Sequence, residues 1–179
     1  MAERGIKVDH TTIMRWVHQY SPEIEKKIRR HLRPTNDSWR VDETYIKVKG
    51  EWDYFYRAVD SDGGDTIDFM LSSKRDRKAA KRFFKKALSS NHNQIPRLIT
   101  VDKNPAYPPA IDELKNEKNL FKNVEIRQTR YLNNIIEQDH RSVKRITVQM
   151  LGFQFFHSAS KTLKGIEAMN MVKKDKSII

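Results

Sequence analysis

The sequence predicts an α/β fold in which helices pack on both faces of a mixed five-stranded sheet. Three segments rich in β-branched and aromatic residues, 39–49, 52–60 and 66–72, are separated only by turns at Gly50 and at residues 61–65. This pattern is typical of an antiparallel meander. Beyond the meander, helical and strand patterns alternate, which favours helices that cover a sheet. The 179 residues are enough for one such domain with a small appendage.

The part after the meander consists of a helix, a strand, a second helix, a second strand and two further helices. The first of these helices places its apolar side chains at helical spacing between lysines and arginines, as expected for a helix packed on the sheet. Prolines mark the start of the second helix, and asparagine caps the third. The predicted bounds are 77–90 (helix), 98–101 (strand), about 105–119 (helix), 124–127 (strand), from 133 or 134 (helix) and from 158 (helix).

Residues 1–38 are predicted to form a small N-terminal unit before a main domain at 39–179. Asp9 or Thr11 can cap a short helix, and Ser21-Pro22 is predicted to start a second, basic helix that stops before Pro34. Arg15 is predicted to face outward, so the first helix either reads DNA or packs on the main domain. The unit is therefore interpreted as a partial helix-turn-helix followed by a basic linker helix.

The composition indicates a polyanionic partner. Lysine and arginine total 35 against 23 acids, which gives a net charge of +12 spread along the chain. Without cysteine there is no disulfide or thiolate zinc site, so any metal is expected to be magnesium or manganese held mainly by carboxylates. The sequence has neither a long apolar span nor a signal-peptide core, which predicts a cytoplasmic protein.

Three acidic residues occur where the predicted elements would meet. Asp42 is within the first strand, Asp102 is at the tip of a later strand, and Glu137 is on the helix that follows the last strand. An acid has low strand propensity, so Asp42 points to a function, although a solvated acid on an edge strand is the alternative. Grouped carboxylates could bind two divalent ions, which stabilise the attacking and leaving oxygens of a phosphoryl displacement.

Three stretches carry a resemblance to a known family: Trp39 to Tyr45, Thr100 to Tyr107 and Tyr131 to Arg141. Thirty-four residues lie between Asp102 and Glu137. In these motifs and this spacing the chain resembles bacterial insertion-sequence transposases of the DDE superfamily, and most of all the insertion-sequence family numbered six. The resemblance implies a ribonuclease H-like fold related to that of retroviral integrases.

The resemblance also implies roles for individual residues. Asp42, Asp102 and Glu137 are expected to be catalytic and to bind two magnesium or manganese ions, and Lys144, seven residues after Glu137, is expected to approach a DNA phosphate. Glu137, His140, Arg141 and Lys144 share one side of the predicted helix. The candidate DNA contacts are Lys144, Arg141, His140, Arg15 and Lys103.

The expected function is metal-dependent DNA cleavage and strand transfer by a homo-oligomer on paired transposon ends, acting also on target DNA. Such a protein would be associated with the bacterial nucleoid when bound to DNA. Family members carry further residues upstream that complete the helix-turn-helix, so the chain is expected to be N-terminally truncated. Two alternatives are a transposition-deficient DNA-binding remnant and a hydrolytic nuclease on the same fold.

Overall fold

The fold was analysed in a computed structural model, which describes residues 5, 8–62, 64–90, 92–117, 122–129 and 134–174. Within the last range, the side chains of residues 134, 135 and 137–139 are not described. The described ranges contain ten elements, which follow the predicted order from the first strand onward. They are α1 (His10–Ile28), β1 (Ser38–Val48), β2 (Glu51–Asp60), β3 (Thr66–Ser72), α2 (Arg77–Leu88), β4 (Leu98–Val101), α3 (Tyr107–Asn116), β5 (Glu125–Gln128), α4 (Asn134–Gln149) and α5 (Phe156–Lys174).

The five strands form one mixed sheet in the order β3-β2-β1-β4-β5. The predicted meander is confirmed, because β1 and β2 pair antiparallel, as do β2 and β3. The short strands β4 and β5 join the other side of β1 in parallel. Parallel neighbours need crossover connections, and α2 and α3 lie in the segments that lead to β4 and β5.

Alternation along β1 divides its side chains between two hydrophobic cores. Successive residues of a strand point to opposite faces of the sheet. Trp39 and Val41 belong to the core that contains Phe83 of α2 and Ile111 of α3. The other face of β1 contributes Ile46 and Val48 to a core with Val143 of α4 and Leu163 of α5. Helices thus cover both faces, as predicted.

The N-terminal segment differs from the prediction. One continuous helix, α1, runs through Pro22, where the sequence predicted two short helices. Proline removes a backbone donor and crowds the preceding turn, but Ser21, Glu25 and Ile28 are buried and α1 packs along α5. This packing offsets the cost of the proline.

The N-terminus of α1 agrees with the prediction, and its C-terminal end is tied to the sheet. Asp9 caps the helix by accepting a 2.8 Å hydrogen bond from the Thr11 N–H. Arg29, directly after the helix, lies 2.7 Å from the buried Asp68 of β3 and also pairs with Glu25. None of the described helices is long and apolar enough to cross a membrane.

Candidate active site

The candidate site lies where the parallel pairing of β1 and β4 ends. The last register pair is Val41 with Val101, so Asp42 and Asp102 are the next residues of two adjacent parallel strands. Carboxylate oxygens of Asp42, Glu43 and Asp102 all lie within 4.8 Å of one another. The sequence prediction that Asp42 and Asp102 come together is consistent with this geometry.

Asn104 fixes the loop that follows Asp102. Its backbone N–H donates a 3.0 Å hydrogen bond to Asp102 Oδ1, and its side-chain oxygen accepts one of 3.0 Å from the Ala106 N–H. Its side-chain nitrogen donates a 2.7 Å hydrogen bond to Glu43 Oε1. An Asn or Asp side chain that bonds the backbone two residues on favours a tight turn. The local sequence therefore holds Asp102 at the strand tip and ties the loop to β1.

Glu43 is buried on the opposite face of β1 from Asp42, with only 2% of its side chain exposed. Its carboxylate accepts hydrogen bonds from the Tyr107 hydroxyl at the start of α3, from Asn104 and from the Arg75 guanidinium. Both carboxylate oxygens are therefore engaged by the protein. These hydrogen bonds stabilise the buried charge of Glu43, which would otherwise destabilise the fold.

Arg75 connects Glu43 to Asp102. Its guanidinium pairs with Glu43 and places Nη2 3.1 Å from Asp102 Oδ2. Partial burial acts to lower the pKa of Arg75, but the hydrogen bond and charge of Glu43 and the charge of Asp102 raise it on balance. The side chain therefore stays cationic beside the acids.

The surroundings oppose the ionised form of Asp102. Burial is the main cause that raises the pKa of Asp102, and the negative charges of Glu43 and Asp42 add to it. The hydrogen bond from the Asn104 N–H and the charge of Arg75 act in the other direction. A carboxylate whose charge is disfavoured by its neighbours is stabilised when a cation binds it.

Helix α4 crosses the face of β1 that carries Asp42. His140 is 4% exposed, and its Nε2 lies 3.4 Å from Asp42 Oδ2. Neither ring nitrogen has a hydrogen-bond partner among the described residues. Glu137 is in α4, three residues before His140, but its side chain lies outside the described residues, as do residues 131–133 of the predicted motif. The contact of His140 nonetheless places this part of α4 at the site.

The other predicted DNA contacts are exposed, but they lie at different places. Arg141 and Lys144 are on α4, and Lys103 is in the loop after Asp102. Arg15 is on α1, which packs on α5 and not on the strands that carry the acids. Four of the five candidates therefore lie on α4 or on the loop after Asp102, and one of these, His140, is buried against Asp42.

Sequence reasoning assigned no role to Glu43, Asn104, Tyr107 or Arg75. The first three are within the motifs that carry the family resemblance. The close spacing of Asn104 and Tyr107 after Asp102 could have indicated that both residues support the acids. Arg75 lies in a polar stretch between β3 and α2, and its pairing with two acids depends on how the chain folds. No local pattern could have indicated it.

The donor set fits a hard divalent cation. Carboxylate oxygens are the ligands that magnesium and manganese prefer, and Asp42 and Asp102 keep 18% and 32% of their side chains exposed. Glu43 is near enough to contribute, but its oxygens already accept hydrogen bonds from the protein. Asp42 and Asp102 are therefore the accessible ligands among the described acids.

Comparison with known proteins decides the family. Residues 36–176 match the family model DDE_Tnp_IS240, which describes a DDE domain. The chain belongs to this DDE domain family. The matched range begins just before β1 and ends beyond α5, so the DDE domain includes the whole sheet, and both Asp42 and Asp102 lie within it.

Curated relatives support the same assignment. The DDE chain is 36% identical over 169 residues to the transposase for insertion sequence-like element IS431mec of Staphylococcus aureus, an alignment that covers 94% of this chain and 72% of the relative. It is also 36% identical over 166 residues to the transposase for insertion sequence element IS257 in transposon Tn4003, again from S. aureus, with 93% and 71% covered.

A solved structure has a fold similar to that of this chain. The HTLV-2 integrase catalytic core domain, determined in complex with magnesium, superposes with a TM-score of 0.59 at 17% identity, covering 78% of this chain and 89% of the integrase chain. This similarity confirms the predicted ribonuclease H-like, integrase-like fold.

Proposed function

We propose that this chain is a transposase that cleaves DNA at the ends of an insertion sequence and joins the freed 3′ ends to target DNA, using a divalent metal. The observation that carries the proposal is the meeting of Asp42 and Asp102 at the end of the β1–β4 pairing, with oxygens within 4.8 Å. Membership of the DDE family and the transposase relatives support it.

Asp42, Asp102 and Glu137 would hold two magnesium or manganese ions. Bound divalent ions polarise the scissile phosphate and stabilise the attacking and leaving oxygens of the displacement. The chain's own part is to present the acids on rigid elements. β1 and β4 fix Asp42 and Asp102 through the sheet. Glu137 would join them from α4, because it precedes by about one helical turn the His140 that lies against Asp42.

His140 acts through Asp42. Its ring is buried, and Nε2 is 3.4 Å from Asp42 Oδ2, so it limits the orientations of that carboxylate. We therefore assign His140 as a positioning residue and not as the base that activates water. Glu43 holds Asn104, Tyr107 and Arg75 around the loop of Asp102 in the same way.

The basic residues around the site would bind the DNA backbone. Lys144 and Arg141 are exposed on α4 and Lys103 is exposed in the loop after Asp102, and exposed cations neutralise phosphates without reading sequence. Arg15 on the continuous helix α1 would extend the contact to the N-terminal unit, residues 1–38, which precedes the proposed catalytic region at 39–179. We further propose that the protein acts as a homo-oligomer on paired transposon ends.

DNA cleavage and strand transfer are assayed separately, with DNA that carries the element's terminal repeats. Asp42→Asn, Asp102→Asn and Glu137→Gln should each lower magnesium-dependent cleavage by about a hundredfold or more. Each should leave DNA binding nearly unchanged, because only metal ligands are altered. Asp112→Asn, at an exposed position of α3, is the matched control and should retain full activity. Full cleavage by Asp42→Asn would contradict the proposal.

Strand transfer is measured with ends that are already nicked, supplied together with a target plasmid. Joined products distinguish a transposase from a hydrolytic nuclease, which would cleave intact ends but leave the nicked ends unjoined. Binding without either reaction would identify a DNA-binding remnant.

A further inference from the structure

An open groove of about 650 Å³ lies between the β1–β2 hairpin and the C-terminal part of α4. We call it the hairpin groove. The residues that matter for its chemistry are Tyr45 and Lys47 of β1, Trp52 of β2, Lys144 and Val148 of α4, and Leu151. Its volume is in the range of pockets that hold small organic groups.

The groove exists because one edge of β1 is left open. β4 pairs with β1 only as far as Val41, and the next pairing on that side is the isolated bridge between Val48 and Phe153. Phe153 accepts a 2.7 Å hydrogen bond from the Lys49 N–H and donates one of 2.8 Å to the Lys47 carbonyl. Between these two points, β1 has no strand partner on that side in the described structure.

The lining exposes large apolar side chains. Trp52 is 59% exposed, and Leu151 is 90% exposed. The Tyr45 ring supports Trp52 from the side, with ring centroids 6.3 Å apart at 81°, and is itself 5.5 Å from the ring of Tyr54. Aromatic rings supported in this way provide flat surfaces against which a further ring can stack.

The charge of the groove has one sign. Two lysines, Lys47 and Lys144, line it, and none of the described residues that line it is acidic. The groove also follows the candidate active site along two elements, since Tyr45 is three residues after Asp42 on β1 and Lys144 is one helical turn after His140 on α4. A ligand that extends from the scissile phosphate into the groove would meet cations and aromatic rings together.

We propose that the hairpin groove binds an unpaired DNA nucleotide next to the cleavage site. Its base stacks on Trp52, whose ring Tyr45 supports edge-on, and its phosphate contacts Lys144 and Lys47. Aromatic stacking with a cationic rim is how proteins hold single-stranded nucleic acid, and a purely apolar partner would leave the lysines without a counter-charge. The identity of the ligand as DNA rests on the proposed function.

The test compares a duplex that ends in a short unpaired tail containing 2-aminopurine with a blunt duplex of equal length. Binding is measured by the fluorescence anisotropy of the labelled DNA, and stacking is measured by quenching of 2-aminopurine fluorescence. Both measurements are made in EDTA, which removes divalent metal and prevents cleavage of the DNA. Trp52→Ala should weaken binding of the tailed duplex by about tenfold and abolish the quenching. Binding of the blunt duplex should hardly change. Trp52→Phe should retain most of both signals.

Phe156→Ala is the matched control, because Phe156 is an exposed aromatic residue, 43% accessible, on α5 and is not part of the groove lining. Thermal melting of all variants verifies folding. The proposal is overturned if Trp52→Ala and Phe156→Ala behave alike, or if tailed and blunt duplexes are weakened equally. The proposal is also overturned if Trp52→Ala converts a dimer of the parent protein to a monomer in sedimentation and still prefers the tailed duplex. That result would identify the groove as an interface between two copies. Because the assay needs no cleavage, loss of the proposed catalytic function leaves its result readable.

Discussion

Arg57 and Glu167 form a fully buried ion pair, with Arg57 Nε 2.9 Å from Glu167 Oε1 and neither side chain exposed. The pair joins β2 to α5, and Arg57 is the cross-strand neighbour of Asp42 in the β1–β2 register. Residues opposite each other in a sheet point to the same face. A charge pair therefore fixes α5 against the sheet directly beside the candidate active site.

Breaking this pair should destabilise the fold strongly. Arg57→Met leaves the Glu167 carboxylate buried without its cation, and we expect the free energy of unfolding to fall by about 3–5 kcal/mol. Urea denaturation followed by circular dichroism measures the change. Removing both charges in Arg57→Met/Glu167→Leu should recover part of the loss.

The matched control for this pair is Arg97→Met. Arg97 lies 3.2 Å from Asp37, but the two side chains are 62% and 45% exposed. Exposed pairs contribute little, so this variant should show no resolvable change. If the double variant of Arg57 and Glu167 is less stable than either single variant, the unpaired charge of Glu167 is not the cause of the stability loss in Arg57→Met.

The hydroxyl of Tyr107 offers a second test of how the site is supported. It donates to Glu43 from a fully buried ring, and burial together with the charge of Glu43 holds the pKa of Tyr107 well above its ordinary range. Tyr107→Phe removes one donor from a buried carboxylate and should lower the free energy of unfolding by about 1–2 kcal/mol. Tyr20→Phe, at an exposed ring on α1, should have no effect. Equal stability of the two variants would mean that Arg75 and Asn104 alone satisfy Glu43.

Arg75 is expected to compete with metal for Asp102. Its guanidinium is 3.1 Å from Asp102 Oδ2, so it repels a divalent cation that approaches the same oxygen. Arg75→Gln should therefore raise the affinity for manganese by about tenfold, as measured by isothermal titration calorimetry on the protein without DNA. Arg77→Gln is the control, because Arg77 pairs with Glu113 on α3 and not with the site acids. Weaker manganese binding by Arg75→Gln would instead indicate that Arg75 orients Asp102 for the metal.

The strands and most helices could be predicted because their signals are local. The segments 66–72 and 98–101 were predicted with the bounds that the structure has, since each is a short run of β-forming or apolar residues between polar stretches. The positions of Asp42 and Asp102 followed from strand patterns in the same way, because Asp42 lies within the run that forms β1 and Asp102 directly follows the run that forms β4.

The contacts around the acids could not be predicted in the same way. Arg57 and Glu167 are 110 residues apart in the chain, and Arg75 meets Glu43 and Asp102 only through the order of the strands. The helix break at Pro22 was predicted wrongly because the local cost of proline was visible in the sequence, whereas the packing of α1 on α5 that offsets it was not.

The contact between Gly165 and Ser21 tests that packing. A Cβ atom added to Gly165 of α5 would overlap Ser21 Oγ and lie 3.1 Å from Ser21 Cβ on α1. Alanine normally stabilises a helix relative to glycine, so the sign of the effect depends on this contact. We expect Gly165→Ala to lower the free energy of unfolding by about 1–3 kcal/mol and to raise hydrogen exchange in residues 10–28. In a Ser21→Ala background, where the hydroxyl is absent, the same substitution should cost less. An equal cost in both backgrounds, or a more stable Gly165→Ala protein, would mean that α1 does not approach α5 as closely as this contact requires.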